Sequence, residues 1–387
     1  MGTRTRIVLG VVIIGAVLLA AAMFLQRGDS QAQARLIAET PDTTGFARVE
    51  GPPEFDFPEA HGPHPDYQTE WWYYTGNLDT ADGRHFGYQL TFFRRALRPP
   101  AETADRASGW AADQVYMAHF ALTDVAGREH HAFERFSRGA AGLAGAESPP
   151  FAVWLEDWRV EQTGDDAYHL IAAADGIALE LDLHDRKGPV LQGEQGYSRK
   201  GADPANASAY YSQTRLTARG EVRVGGEVFA VEGLSWMDHE YSTSALAEGQ
   251  VGWDWFSIQL DDGSEFMLYT IRLDDGHIDP YSHGLYVHAG GSTERLLHRA
   301  GDYKIEVLDT WRSPHTGAEY PARWRVRIPG QNLTVELQPW LPDQEMNVSY
   351  AYWEGAVRVR GERDGEAVGG AGYVEMTGYA GSMEGQF

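Results

Sequence analysis

At 387 residues the chain is longer than one ordinary domain, and it carries a formal net charge of −24 and no cysteine. That charge excludes nucleic acid and anionic membrane surfaces as partners of the folded body, because both would repel it. The lack of cysteine excludes disulfide support, thiolate chemistry and cysteine metal sites, so the fold must rest on a large core.

Residues 1–34 read as a targeting segment. Arg4 and Arg6 precede an unbroken apolar stretch from Ile7 to Leu25. Such a stretch is longer than most signal-peptide cores and close to the ~20 residues of a spanning helix. Ala32-Gln33-Ala34 offers small residues to a signal peptidase. Two outcomes stay open: a retained transmembrane anchor, or a signal removed before Arg35. Either exports the body to the periplasm or another extracytoplasmic space, with membrane contact only through this segment. Residues 35–50 are polar and aperiodic and read as a linker.

From residue 51 onward the pattern is all β. Segments such as His85-Phe-Gly-Tyr-Gln-Leu-Thr-Phe-Phe-Arg94 and Arg323-Trp-Arg-Val-Arg-Ile328 are rich in aromatic and branched residues, alternate with period two, and end at Gly, Asp-Gly or Pro. A degenerate repeat divides them. Trp72 to Leu78, followed by Asp82-Gly83 and Arg94, is echoed by Trp255 to Leu260, followed by Asp262-Gly263 and Arg272. The expected units are 51–243 and 244–387. Each has enough short strands for a closed antiparallel barrel, and tandem sandwiches fit the strand count nearly as well.

Ionisable residues among the aromatics mark the candidate sites. In 235–241, alternation puts Trp236, Asp238 and Glu240 on one face and Met237, His239 and Tyr241 on the other. Whichever face turns inward carries a group that must be paired, neutralised or used. The alternatives are a cavity acid or base, or a structural ion pair with Arg94, Arg215 or Arg272. Glu70 and Trp72 open the first strand and read either as a barrel plug or as ligand contacts. His119 is either a satisfied core histidine or a cavity group. Trp253, Asp254 and Trp255 open the second unit as ligand-contact candidates. His61-x-x-His64-x-Asp66 contains the donor types of a zinc shell, but polar tethering of this proline-rich loop is the preferred reading, and neither metal nor cofactor is expected. No Gly-x-Ser-x-Gly nucleophile signature occurs.

Several motifs resemble the AttH/CrtC-like family of tandem lipocalin-like proteins, which includes AttH-type exported proteins and carotenoid hydratases. They are His64-Pro-Asp66 with Glu70-Trp-Trp-Tyr73, Ala118-His-Phe-Ala-Leu-Thr-Asp124, Ser208-Ala-Tyr-Tyr-Ser212, Trp236-Met-Asp-His-Glu240, Gly252-Trp-Asp-Trp-Phe256 and Tyr352-Trp-Glu-Gly355. The resemblance implies two lipocalin-like barrels with a ligand cavity near their junction. It also implies a hydrophobic or lipid-like ligand and a working association with ABC transporter components. From the hydratase branch it implies protonation of a carbon–carbon double bond and addition of water. On that pattern His239 stands at the acid–base histidine and Tyr269 at the expected tyrosine. Thr270, Ile271 and Arg272 follow Tyr269, with no aspartate at the proton-donor position, which leaves Asp238, Glu240 or Asp254 to replace it. Two functions are therefore expected: a carrier of apolar molecules, or a hydratase-like lyase or isomerase.

Overall fold

The computed structural model describes residues 43–102, 111–244 and 246–383. The expected anchor or signal, 1–34, lies outside them, as does the first half of the linker, 35–42. Among the described residues no helix is long and apolar enough to cross a membrane.

Two antiparallel sheets make up the body, as the period-two pattern predicts. The first runs Glu129–Arg138, Gln114–Asp124, His85–Ala96, Thr69–Asp79, Glu227–Ser242, Ala207–Val224, Ile177–Asp185, Ala167–Ala174, Trp158–Gly164, Ala152–Leu155 and Ala144–Glu147, each strand bonded to the next. It curls until strands from its two ends touch, closing a barrel filled by residues such as Trp72, Tyr88, Phe120, Trp158 and Leu181. The second runs Thr293–Leu297, His283–Val287, Glu265–Leu273, Gln250–Leu260, Glu366–Met376, Ala351–Arg363, Leu333–Pro339, Glu319–Ile328 and Lys304–Arg312. Its core joins Leu296 near one end of that path to Trp324 and Ile328 near the other. Burying both sheets on themselves leaves few free strand edges.

The repeat appears in the topology: in each sheet the opening strand pairs with the next strand and with the last one. Its residue register differs from the sequence reading by one. Trp72 lies inside the first barrel, whereas Trp255 faces outward and Phe256 points into the second core. Aromatics occupy both faces of these strands, so hydrophobicity alone does not fix which face is inside.

The barrels meet along these opening and closing strands. Tyr73 Oη donates to Glu354 Oε1 at 2.5 Å, Asn77 Nδ2 to the Gly372 carbonyl at 3.0 Å, and Gln259 Nε2 to the Thr214 and Ser235 carbonyls at 2.8 and 3.0 Å. Glu265 of the second barrel accepts from Lys187 at 2.6 Å and from Arg215, both of the first. Gly87 lies against Ala356 so closely that a Cβ added at Gly87 would stand 2.5 Å from that of Ala356.

Candidate functional site

The pleat of the strand Glu227–Ser242 separates the expected site residues into two compartments. His239 and Tyr241 turn into the first barrel; Trp236, Asp238 and Glu240 turn toward the second barrel. Cross-strand partners follow the same parity: Trp72 and Tyr211 flank His239, while Trp71 and Tyr210 flank Glu240.

Inside the barrel, His239 Nε2 and His64 Nδ1 each lie 2.8 Å from Glu70 Oε1, and Arg94 Nε donates to Glu70 Oε2 at 2.7 Å. Burial alone would raise the Glu70 pKa, yet the Arg94 charge and the histidine hydrogen bonds hold it below the usual carboxylate range. Burial lowers the His239 pKa to about 4, against the pull of Glu70. His239 Nδ1 meets Tyr211 Oη at 3.1 Å, and that hydroxyl meets His61 Nδ1 at 2.6 Å. Trp72 stacks on His239 at 4.9 Å and donates its indole N–H to the His61 carbonyl, and Tyr241 stacks on His64 at 3.7 Å. This is a packed, hydrogen-bonded network within a filled core.

Donor atoms of His64, Glu70 and His239 lie within 4.8 Å of one another and are a set that could hold a metal ion. Neither His61 nor Asp66 belongs to that set. Glu70 is already engaged by Arg94 and two imidazoles, while Arg94 Nη1 is buried without an acceptor.

The second compartment is a cleft between the barrels. Its walls are aromatic, with Trp71 and Tyr73 from the first barrel and Trp253, Trp255 and Tyr269 from the second, and Asp238, Glu240, Glu375 and Lys200 also reach it. Asp238 accepts from Trp236 Nε1 at 2.7 Å, from Tyr210 Oη at 2.9 Å and from Ser212 Oγ. Desolvation outweighs these bonds and, with help from Glu240, raises the Asp238 pKa to about 7. Glu240 accepts from Ser208 and pairs with the Lys200 ammonium, which sits 5.4 Å from the Trp71 ring centroid and 5.7 Å from that of Tyr269.

Glu375 and Glu354 stand opposite each other on paired strands, where burial disfavours a charge on either. Trp253 Nε1 donates to Glu375 at 2.6 Å. Burial raises the Glu375 pKa to about 7, and it raises that of Glu354 well above the usual range, with the Glu375 charge adding to the shift. Glu354 Oε2 is buried without a hydrogen-bond donor.

The expected set is thus divided. Asp238, Glu240, Tyr269, Trp253 and Trp255 line the cleft, whereas Glu70, Trp72, His239 and Tyr241 belong to the barrel interior. Asp254 is gripped by Arg272 at 3.1 Å and Tyr379 at 3.2 Å, beside the cleft rather than in it. His119 bonds Tyr352 Oη at 2.8 Å and Glu134 at 3.1 Å behind the cleft wall. The arginines take other partners than the structural reading paired them with: Arg94 holds Glu70 and Arg215 holds Glu265. Sequence reasoning missed Glu375, Glu354, Lys200 and Tyr73. A signal was present, since Glu375 follows Tyr373 by two on an alternating strand.

The sequence profile described as AttH-like matches residues 48–379. A Nitrosomonas europaea protein provisionally named AttH has a solved structure that is 34% identical, with TM-score 0.75, covering 86% of this chain and 100% of its own. The kievitone hydratase of Nectria haematococca shares the fold at 14% identity and TM-score 0.64, covering 89% of this chain and 98% of its own. No curated protein sequence matches significantly.

Proposed function

We propose that this chain, which belongs to the AttH-like family, binds an apolar small molecule in the cleft between its barrels and transfers a proton on it, as a hydratase or isomerase does. The observation that carries this reading is Asp238, a desolvated carboxyl poised near neutrality on an aromatic wall. Neutral Asp238 gives its proton to a carbon–carbon double bond. The aromatic faces of Trp71 and Trp255 stabilise the resulting cation, water adds to it, and the surplus proton returns to the Asp238 carboxylate. Loss of a proton from the neighbouring carbon instead gives isomerisation. Both routes restore the acid.

The test is incubation in deuterated water with unsaturated apolar molecules, read by mass spectrometry for added water or exchanged deuterium. Asp238→Asn is expected to slow turnover by about 10²- to 10⁴-fold while keeping ligand binding. Undiminished turnover in that variant would reject Asp238 as the acid.

A second reading, a carrier without turnover, is favoured by one observation: His239, the family-implied acid–base residue, is sealed inside the filled first barrel. Organic extraction of the purified protein that yields an intact apolar molecule, with no turnover of it afterwards, would support the carrier.

A further inference from the structure

Three acidic side chains reach the cleft, and among the described residues lining it Lys200 is the sole cation. Lys200 is engaged by Glu240. The hydrogen bonds that Asp238 and Glu375 accept come from neutral tyrosine, serine and indole donors, and the Lys200 charge pulls the Glu375 pKa down without offsetting its burial. The walls around them offer ring faces, which attract cations and give an anion nothing. The Lys200 ammonium, between Trp71 and Tyr269, already shows one positive charge held in this way.

We propose that the cleft takes a cationic ligand, an apolar molecule carrying a protonated amine or a quaternary ammonium group, held by Glu375 against the aromatic walls. The proposal rests on the reading of the cleft as a small-molecule site and specifies its ligand class. A neutral ligand leaves Glu375 desolvated with only the Lys200 charge against its burial, and an anionic ligand adds repulsion. An ammonium group supplies further positive charge and lets Glu375 ionise, while Asp238 keeps the proton that the proposed reaction uses. Burial raises the Glu375 pKa to about 7 despite Lys200, so the existing cation does not offset the desolvation there. The net charge of −24 also steers cations toward the protein and slows the approach of anions.

A chain-matched ligand series tests this. Octyltrimethylammonium, octanol and octanoate, each below its micelle concentration, are titrated into the full chain at pH 8 and followed by calorimetry and tryptophan fluorescence. The ammonium compound is expected to bind about tenfold more tightly than the alcohol, and octanoate more weakly than both. Glu375→Gln, checked for a native thermal transition, should abolish the preference for ammonium without abolishing octanol binding. Equal affinity for all three ligands overturns the cation preference and leaves the small-molecule cleft standing. A preference that survives in Glu375→Gln places the cation elsewhere and also overturns the proposal. Binding of none of the three overturns this proposal together with the small-molecule reading.

Discussion

At the scale of single residues, Asp238 and His239 are neighbours in sequence whose acidities have moved in opposite senses relative to their charge. Both are held neutral by burial, so they act on folding with opposite signs over nearly the same pH range. Asp238 has a folded pKa of about 7, raised from 3.8; the stability it contributes is full below the lower value and is lost as pH rises through about 7. His239 has a folded pKa of about 4, lowered from 6.5; its contribution is full above the higher value and is lost as pH falls toward 4. The two windows overlap between about pH 4 and 7 with opposite slopes, so together the pair leaves the parent's melting temperature nearly level there. Asp238→Asn removes one slope: the variant should melt a few degrees above the parent at pH 8 and little differently at pH 4. A difference between variant and parent that does not grow from pH 4 to pH 8 would show that another group is responsible. The hydrogen bonds accommodate the amide, since Tyr210 can accept where it now donates.

At the scale of strands, period-two alternation made the fold readable, and the aromatic motifs gave the family resemblance. The alternation also showed that His239 and Asp238 face opposite ways, but not which way is inward, because both faces are apolar. Glu354 and Tyr73 could not be paired by inspection: 281 residues separate them, and only the docking of the barrels brings them to 2.5 Å. Gly87 is silent in the sequence for the same reason, since the atom it must avoid is on Ala356. Gly87→Val should part the strands there, destabilising the protein by about 1–3 kcal/mol and weakening ligand binding. Ala356→Gly in the same chain should restore part of the loss. Calorimetry of the single and double variants checks both, and strict additivity of the two substitutions would rule out the contact as the cause.

At the scale of the whole molecule, the barrels are fastened by buried charge as well as by apolar contact. Glu265 is buried between Lys187 and Arg215, and burial raises its pKa despite both cations. Glu265→Gln leaves two cations without their counter-charge and should cost about 3–5 kcal/mol. The parent should melt in one transition, because hydrogen bonds from Tyr73, Asn77, Gln259 and Lys187 all cross the junction. Differential scanning calorimetry should show Glu265→Gln melting earlier, with a broadened or split transition. An unshifted, single transition would mean that the buried charges do not fasten the junction.

The wall strand that divides barrel from cleft also restricts how such a protein can change by descent. Loss of one residue between Trp236 and Tyr241 would exchange the contents of the two compartments, sending an acid toward Glu70 and an imidazole among the cleft aromatics. Insertions and deletions are therefore closed to this stretch. New ligand preferences can arise here only by replacement at every second position, with the intervening residues held constant by the core they fill.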